Sequence, residues 1–310
     1  THILHASSTA RQRSRDHDRN YSHRWNGRRA SCCARNIAST FNFVITWRIT
    51  RNKNMNDINP KVAFAICAHP DDIEFLMSGT LMRLGRVGYE LHYMNIATGC
   101  CGSTTHNAVE AAGIRRTESQ AAANFIGATF HQPLCNDLEV FYDQPTLAKL
   151  TAIIRNVAPD ILLTHSPTDY MEDHTTTCRL AVTSAFCRGM PNYPSTPVTA
   201  AIEKPVTVYH AQPYSHYGPL GELITPSCFI DVSALQARKR EMLALHQSQK
   251  QWLDESQGLD SYLNTMQDLD RQLGTISGKF EYAEGWRKHN HLGFCGPNAD
   301  PLSEALGIEP

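Results

Sequence analysis

Apolar and polar positions alternate between two periods along the chain from Lys61 onward. The run at 62–68, VAFAICA, is apolar throughout and of strand length, whereas Ile73, Leu76, Met77, Leu81 and Leu84 recur at helical spacing over 73–87. The same alternation predicts strands at 91–98, 128–134 and 160–165, and helices at 108–126, 145–157 and 173–189. Strand after helix after strand implies βαβ units. The fold class expected is α/β, a doubly wound, mostly parallel Rossmann-like sheet with helices on both faces.

Beyond 189 the regularity weakens. Seven prolines from Pro191 to Pro226 interrupt a loop-rich region holding two further strands, 206–211 and 228–233, which reads as a C-terminal cap. Ser233 and Gln236 make a capping-box pattern that opens a long helix to about 255, and 260–273 is a last helix. Residues 1–55 follow neither period. They hold ten arginines and few acids, and are set apart as a disordered or non-native leader. The folded domain is expected over 56–290, with 291–310 as a C-terminal tail.

Composition narrows the partners. With 29 basic and 30 acidic side chains in 310 residues, the chain has no bulk charge that would draw it to nucleic acid. No apolar run approaches the roughly 20 residues needed to span a bilayer. The ten cysteines are scattered without CxxC spacing, and Cys67, Cys135, Cys178, Cys187 and Cys228 read as small core residues of a reducing, cytoplasmic compartment.

Two strand ends carry chemistry. AHPDD follows the strand at 62–68, and THSPTDYMEDH follows the strand at 160–165. Ligands of open parallel sheets sit at such carboxyl ends. Adjacent carboxylates repel each other and are costly to desolvate, so Asp71 and Asp72 beside His69 call for a cation. His69, one of the two aspartates and His174 make three nitrogen and oxygen ligands with a position open for water, the pattern of a catalytic zinc site. The other aspartate is then the base. Against this stands simple helix capping by Asp71 and Asp72. Asp169, Asp173 and His174 at the second strand end favour the metal.

These residues resemble the LmbE-like, or PIG-L-like, N-acetylglucosaminyl de-N-acetylases. AHPDDIE at 68–74 is similar to the family signature, Gly79-Thr80 to the pair just downstream of that signature, and IRRTESQAAANFIGA at 114–128 to the family's R-x-x-E segment. HQSQ at 246–249 and FEYAEGWR at 280–287 are similar to its C-terminal elements. The resemblance implies metal binding by His69, Asp72 and His174, Asp71 as general base, Asp173 orienting an active-site histidine or ligand, and Arg115 at the pocket edge. The cofactor implied is Zn2+, or another divalent ion such as Fe2+. The activity implied is hydrolysis of the acetyl amide of an N-acetylated amino sugar, a small-molecule substrate, by a protein that can form homo-oligomers.

One position departs from the family. Many members read H-P-D-H where this chain has Met171-Glu172-Asp173-His174, and their first histidine stabilises the developing oxyanion. Methionine donates no hydrogen bond. Tyr170, His165, His210 and His216 are the candidate replacements, and Tyr170 joins Asp71, Asp173 and Arg115 in the expected catalytic set. Two other readings remain open from sequence: a catalytically silent sugar-binding relative, and a Mg2+-dependent phosphotransfer or switch domain, which His69 and His174 disfavour. His246, the glycine-containing loop TGCCGSTTH at 98–106 and the aromatics Tyr209, Tyr214, Tyr217 and Trp286 are further candidates for the pocket.

Overall fold

Val62–Cys67 (β1) is buried at every position, as an apolar run in the middle of a parallel sheet must be. The computed structural model describes residues 60–257 and 261–308, so the leader expected at 1–55 lies outside the described residues. On one side β1 pairs in parallel with β2 (Glu90–Asn95), which pairs with β3 (Thr129–His131). On the other side it pairs in parallel with β4 (Ile161–Thr164), which pairs with β5 (Thr207–Ala211). Then β7 (Ala283–Lys288) adds antiparallel to β5, and β6 (Cys228–Asp231) antiparallel to β7. Among the described residues these seven strands form one sheet, in the order β3-β2-β1-β4-β5-β7-β6.

The sheet is doubly wound because β1 feeds both faces. Its Ala63, Ala65 and Cys67 enter one core, with side chains of α2 (Ser78–Arg86), α3 (Ala108–Phe125), α6 (Gln236–Leu243), α8 (Ser261–Ser277) and α9 (Pro301–Leu306). Its Val62, Phe64 and Ile66 enter a second core, closed by α4 (Gln144–Val157) and α5 (Glu172–Cys187). Each large aliphatic side chain so buried contributes about 1.5–3 kcal/mol relative to exposure. The direction of strand order reverses between β1 and β4, and the loops after them open into the crevice there.

The elements differ from the sequence expectation in a few places. The helix expected over 73–87 is two, α1 (Asp72–Leu76) and α2, broken at Met77. The reason is remote: the Glu284 carboxylate of β7 accepts the backbone N–H groups of Gly79 and Thr80 at 2.8 and 2.7 Å, and so starts a new helix. A Cβ at Gly79 would lie 2.5 Å from Val232 Cγ1, so only glycine allows this approach.

The expected long helix from Ser233 is a short 3-10 turn, then α6, then α7 (Gln247–Gln257), with His246 buried at the break. The expected capping box does not form. Ser233 donates from its N–H and Oγ to Asp231, and Gln236 donates to Asp270. The strand β7 lies where sequence periodicity shows none, since Glu284 and Gly285 interrupt its apolar run. The segment expected as a tail carries α9, whose Leu302 and Leu306 are buried in the first core.

Beneath the site lies a buried ionic strut. Lys239 is fully buried, with Nζ 2.6 Å from Glu284 Oε1 and 2.8 Å from Asp270 Oδ2. Glu284 also accepts the Thr80 hydroxyl at 2.6 Å. This joins α6, α8 and β7 to the start of α2, which follows the AHPDD loop and the short α1.

Candidate active site

The β1 and β4 strands are hydrogen-bonded neighbours, so the loops that leave their carboxyl ends share one crevice. His69, Asp72 and His174 meet there, each offering a ligand atom within 4.8 Å of the others'. His69 Nδ1 lies 3.6 Å from Asp72 Oδ2, and His174 Nε2 lies 3.4 Å from Asp72 Oδ1. The opposite ring nitrogens each lie against a buried carboxylate. His69 Nε2 is 3.0 Å from Asp173 Oδ2, and His174 Nδ1 is 3.1 Å from Asp169 Oδ1.

This donor set fits a borderline divalent cation. Two imidazoles and one carboxylate face a common point, and each imidazole is backed by an acid, the arrangement that fixes the tautomer of a metal-binding histidine. The electrostatics ask for positive charge as well. Burial alone pushes the His69 imidazole down, yet the hydrogen bonds to Asp173 and Asp72 raise it to about 10. Burial likewise opposes an ionised Asp72, but the charges of His174 and His165 hold it well below the usual carboxylate range.

Asp71 stands apart from its neighbour. It is the residue before α1, with φ at +103°, a left-handed conformation that costs a non-glycine residue about 1–3 kcal/mol. That turn aims its carboxylate away from the histidines. Asp71 Oδ2 accepts from Arg115 Nη2 at 3.2 Å and from the Tyr262 hydroxyl at 2.8 Å. Arg115 is itself fixed by donating to the Pro70 carbonyl. Burial pushes the Asp71 carboxyl above its ordinary value; Arg115 opposes the shift and the Asp72 charge adds to it. The capping reading does not describe this pair, since the Asp71 side chain makes no cap hydrogen bond to α1.

The candidates for the place left by Met171 separate by position. His165 is fully buried behind the site, its ring stacked on His174 at 4.1 Å with Nε2 accepting the Ala68 N–H at 2.9 Å. His210 pairs with the His165 carbonyl and with His289 Nδ1, and His216 with the Leu269 carbonyl. None of the three presents a free face to the crevice. Tyr170 does: its side chain is 56% exposed, with its ring 6.0 Å from that of His174.

From Tyr170 an aromatic row runs inward. Tyr214 lies 6.2 Å from it, Phe75 lies 5.8 Å from Tyr214, and Tyr262 lies 5.2 Å from Phe75. Tyr214 comes from the proline-rich region, which therefore lines one side of the crevice. Tyr209, Tyr217 and Trp286 take no part in the row. Trp286 is buried and donates to Thr80 Oγ1, and Tyr209 donates to Asp300.

A supporting layer explains the C-terminal motif. His246 Nε2 lies 3.4 Å from Glu74 Oε1, Ser248 donates to Glu118 from its N–H and Oγ at 2.8 and 2.6 Å, and Gln249 Nε2 donates to the Gly102 carbonyl at 2.7 Å. His246 is thus buried under the site and does not face the crevice. Tyr262 is the participant that sequence reasoning missed. It sits on the apolar face of a helix, with no motif to mark it.

The family model for GlcNAc-PI de-N-acetylase (PIG-L) matches residues 64–186. The diacetylchitobiose deacetylase of Thermococcus kodakarensis is 26% identical over 242 residues, covering 76% of this chain and 85% of the relative. The 4-oxalmesaconate hydratase of Pseudomonas putida is 28% identical over 137 residues, covering 42% of this chain and 53% of the relative. The N,N'-diacetylchitobiose deacetylase of Pyrococcus horikoshii, solved with an inhibitor, superposes with a TM-score of 0.64 at 24% identity, covering 76% of this chain and 85% of that one, which shows a shared fold. The AHPDD strand end, the R-x-x-E helix and the His174 loop all fall inside the matched segment, so residues 64–186 carry a PIG-L-type domain.

Proposed function

We propose that this protein is a metal-dependent hydrolase that removes the acetyl group from an N-acetylated amino sugar or its conjugate. The observation that carries the reading is the split of the aspartate pair: Asp72 turned to His69 and His174, Asp71 turned to Arg115 and Tyr262. His69, Asp72 and His174 would hold a zinc or similar ion, which when bound supplies a Lewis acid for the amide carbonyl and lowers the pKa of water.

The chain's own residues supply the rest. Asp173 and Asp169 keep the outer nitrogens of His69 and His174 engaged, so the inner nitrogens stay unprotonated for ligation. Asp71 takes the proton of the attacking water on a carboxylate oxygen and returns it to the amine that leaves. Burial raises its affinity for protons, which suits a proton-accepting role. Arg115 and Tyr262 hold the ionised form in place. The Tyr170 hydroxyl donates to the oxygen on which charge develops, the task that Met171 cannot perform. The aromatic row from Tyr170 to Tyr214 offers the apolar face of a sugar ring a stacking surface.

A second reading comes from the hydratase relative, because the same base beside the same ligands can deliver water to an unsaturated acid. One set of measurements separates the two. The full chain is purified, its bound metal is measured, and acetate release is assayed on a panel of N-acetyl amino sugars beside hydration of unsaturated dicarboxylic acids. Acetate release supports the deacetylase. Hydration alone supports the second reading, and a chain that retains no metal overturns both. The described residues contain no helix long and apolar enough to cross a membrane.

A further inference from the structure

Away from His69 and Asp72, the described residues bring together a group of metal-type side chains that contains sulfur. Cys100, Cys101 and Asp137 place their ligand atoms within 4.8 Å of one another. The two cysteines are the central pair of a turn closed by the Gly102 N–H donating to the Gly99 carbonyl at 3.1 Å. Asp137 clamps that turn from below. Its Oδ1 accepts the Gly99 N–H at 2.6 Å and its Oδ2 the Cys101 N–H at 2.8 Å.

The flanking glycines are required by what lies beneath. Gly99 has φ at +78°, and a Cβ there would sit 2.6 Å from Arg115 Cδ; a Cβ at Gly102 would collide with the Arg115 guanidinium. The Gly102 carbonyl is also held by Gln249. A turn fixed at four points thus points two thiols outward, and a core role does not account for them: Cys101 is exposed and Cys100 only half-buried. The sulfurs stand 4.0 Å apart. Two thiolates on a tetrahedral zinc, with Zn–S bonds of about 2.3 Å, stand about 3.8 Å apart.

We propose that the Cys100–Cys101 turn, with Asp137, is a second cation site at the rim of the crevice, selective for thiophilic divalent ions such as zinc or cadmium. Each thiol loses its proton to solvent as its sulfur–metal bond forms, so no oxidant or reductant takes part. Soft sulfur donors distinguish this site from the nitrogen and oxygen set of His69, Asp72 and His174, and favour softer ions. The site is also wired to the first. Leu138, next to Asp137, donates its N–H to Asp173 Oδ2 at 2.8 Å, the same oxygen that holds His69, and Arg115 under the turn holds Asp71.

The test uses the full chain carrying Cys32→Ser and Cys33→Ser, which removes the other adjacent cysteine pair, and Cd2+ as the probe. Titration is followed by the ultraviolet thiolate-to-cadmium charge-transfer band, which a site of nitrogen and oxygen donors cannot produce. The expected result is a band that saturates at one equivalent and disappears when Cys100→Ser and Cys101→Ser are added. A band that survives those substitutions, or no band at all, overturns the proposal. A second measurement needs no change at the turn. Cd2+ should slow alkylation of Cys100 and Cys101 by about tenfold or more, because metal-bound thiolate is withdrawn from reaction; unchanged alkylation would equally overturn it. Neither readout involves turnover, so the result stands or falls separately from the proposed reaction.

Discussion

The Tyr262 hydroxyl reaches Asp71 Oδ2 at 2.8 Å across 191 residues of sequence, and so links the penultimate helix on the sheet face to the loop after the first strand. That bond favours the ionised carboxylate. Tyr262→Phe removes it, so the Asp71 pKa should rise. The acidic limb of the kcat profile is then expected to move to higher pH, with kcat reduced about tenfold at neutral pH, in line with about 1.5–3 kcal/mol for a hydrogen bond to a charged group. A pH–rate series on both proteins checks it; an unmoved limb would remove Tyr262 from the base's environment.

The division of labour between the two aspartates predicts opposite phenotypes. Asp71→Asn should retain metal and lose a factor of about 10²–10⁴ in kcat, the contribution of a positioned general base. His174→Ala should lose the metal itself. Elemental analysis after gel filtration, with acetate release measured on the same samples, separates them. Equal metal loss in both variants would mean that Asp71 is a ligand.

Much of this was legible because strand ends announce themselves. An unbroken apolar run followed by His69-Pro70-Asp71-Asp72 locates both a parallel strand and its loop, and Asp169, Asp173 and His174 do the same for the neighbouring strand. The features that stayed hidden depend on contacts between distant segments. Nothing in the local sequence of 73–87 says that Glu284 will start a second helix at Ser78, and nothing around Tyr262 says that its hydroxyl meets Asp71. The burial of His246 at the break between α6 and α7, 3.4 Å from Glu74, is hidden for the same reason.

Asp173 holds two groups at one oxygen, the His69 ring at 3.0 Å and the Leu138 N–H at 2.8 Å. Asp173→Asn keeps the shape but cannot hold both through that atom as a charged acceptor. Metal affinity should fall about 10–100-fold, as it does when the acid behind a metal-binding histidine is lost. Competition against a chromophoric chelator measures this. Unchanged affinity would mean that His69 is oriented without Asp173.

Tyr170 is the half-exposed tyrosine whose ring lies against that of His174, and burial together with the Asp72 charge pushes its hydroxyl up to about 12, so it remains a proton donor at working pH. Tyr170→Phe retains the ring and its stacking while deleting the donor. The expected loss is in kcat, up to about 10²-fold, with KM little changed. If KM rises and kcat does not fall, Tyr170 serves binding alone.

The Lys239 strut makes a prediction about stability whose size depends on pH. Lys239→Met keeps the volume but leaves Asp270 and Glu284 buried without their cation, and removing one partner of such a group costs about 3–5 kcal/mol. Burial holds Asp270 up to about 6 even with Lys239 lowering it, so without the lysine its folded pKa must rise further. A carboxyl whose folded pKa lies above its unfolded value contributes stability at low pH that is lost as pH rises through the folded value. The variant should therefore be closest to the parent near pH 5, where Asp270 takes up a proton, and furthest below it at pH 8. Urea unfolding at the two pH values reads the difference. A deficit that is equal at both, or larger at pH 5, would show that Asp270 does not carry the charge left behind.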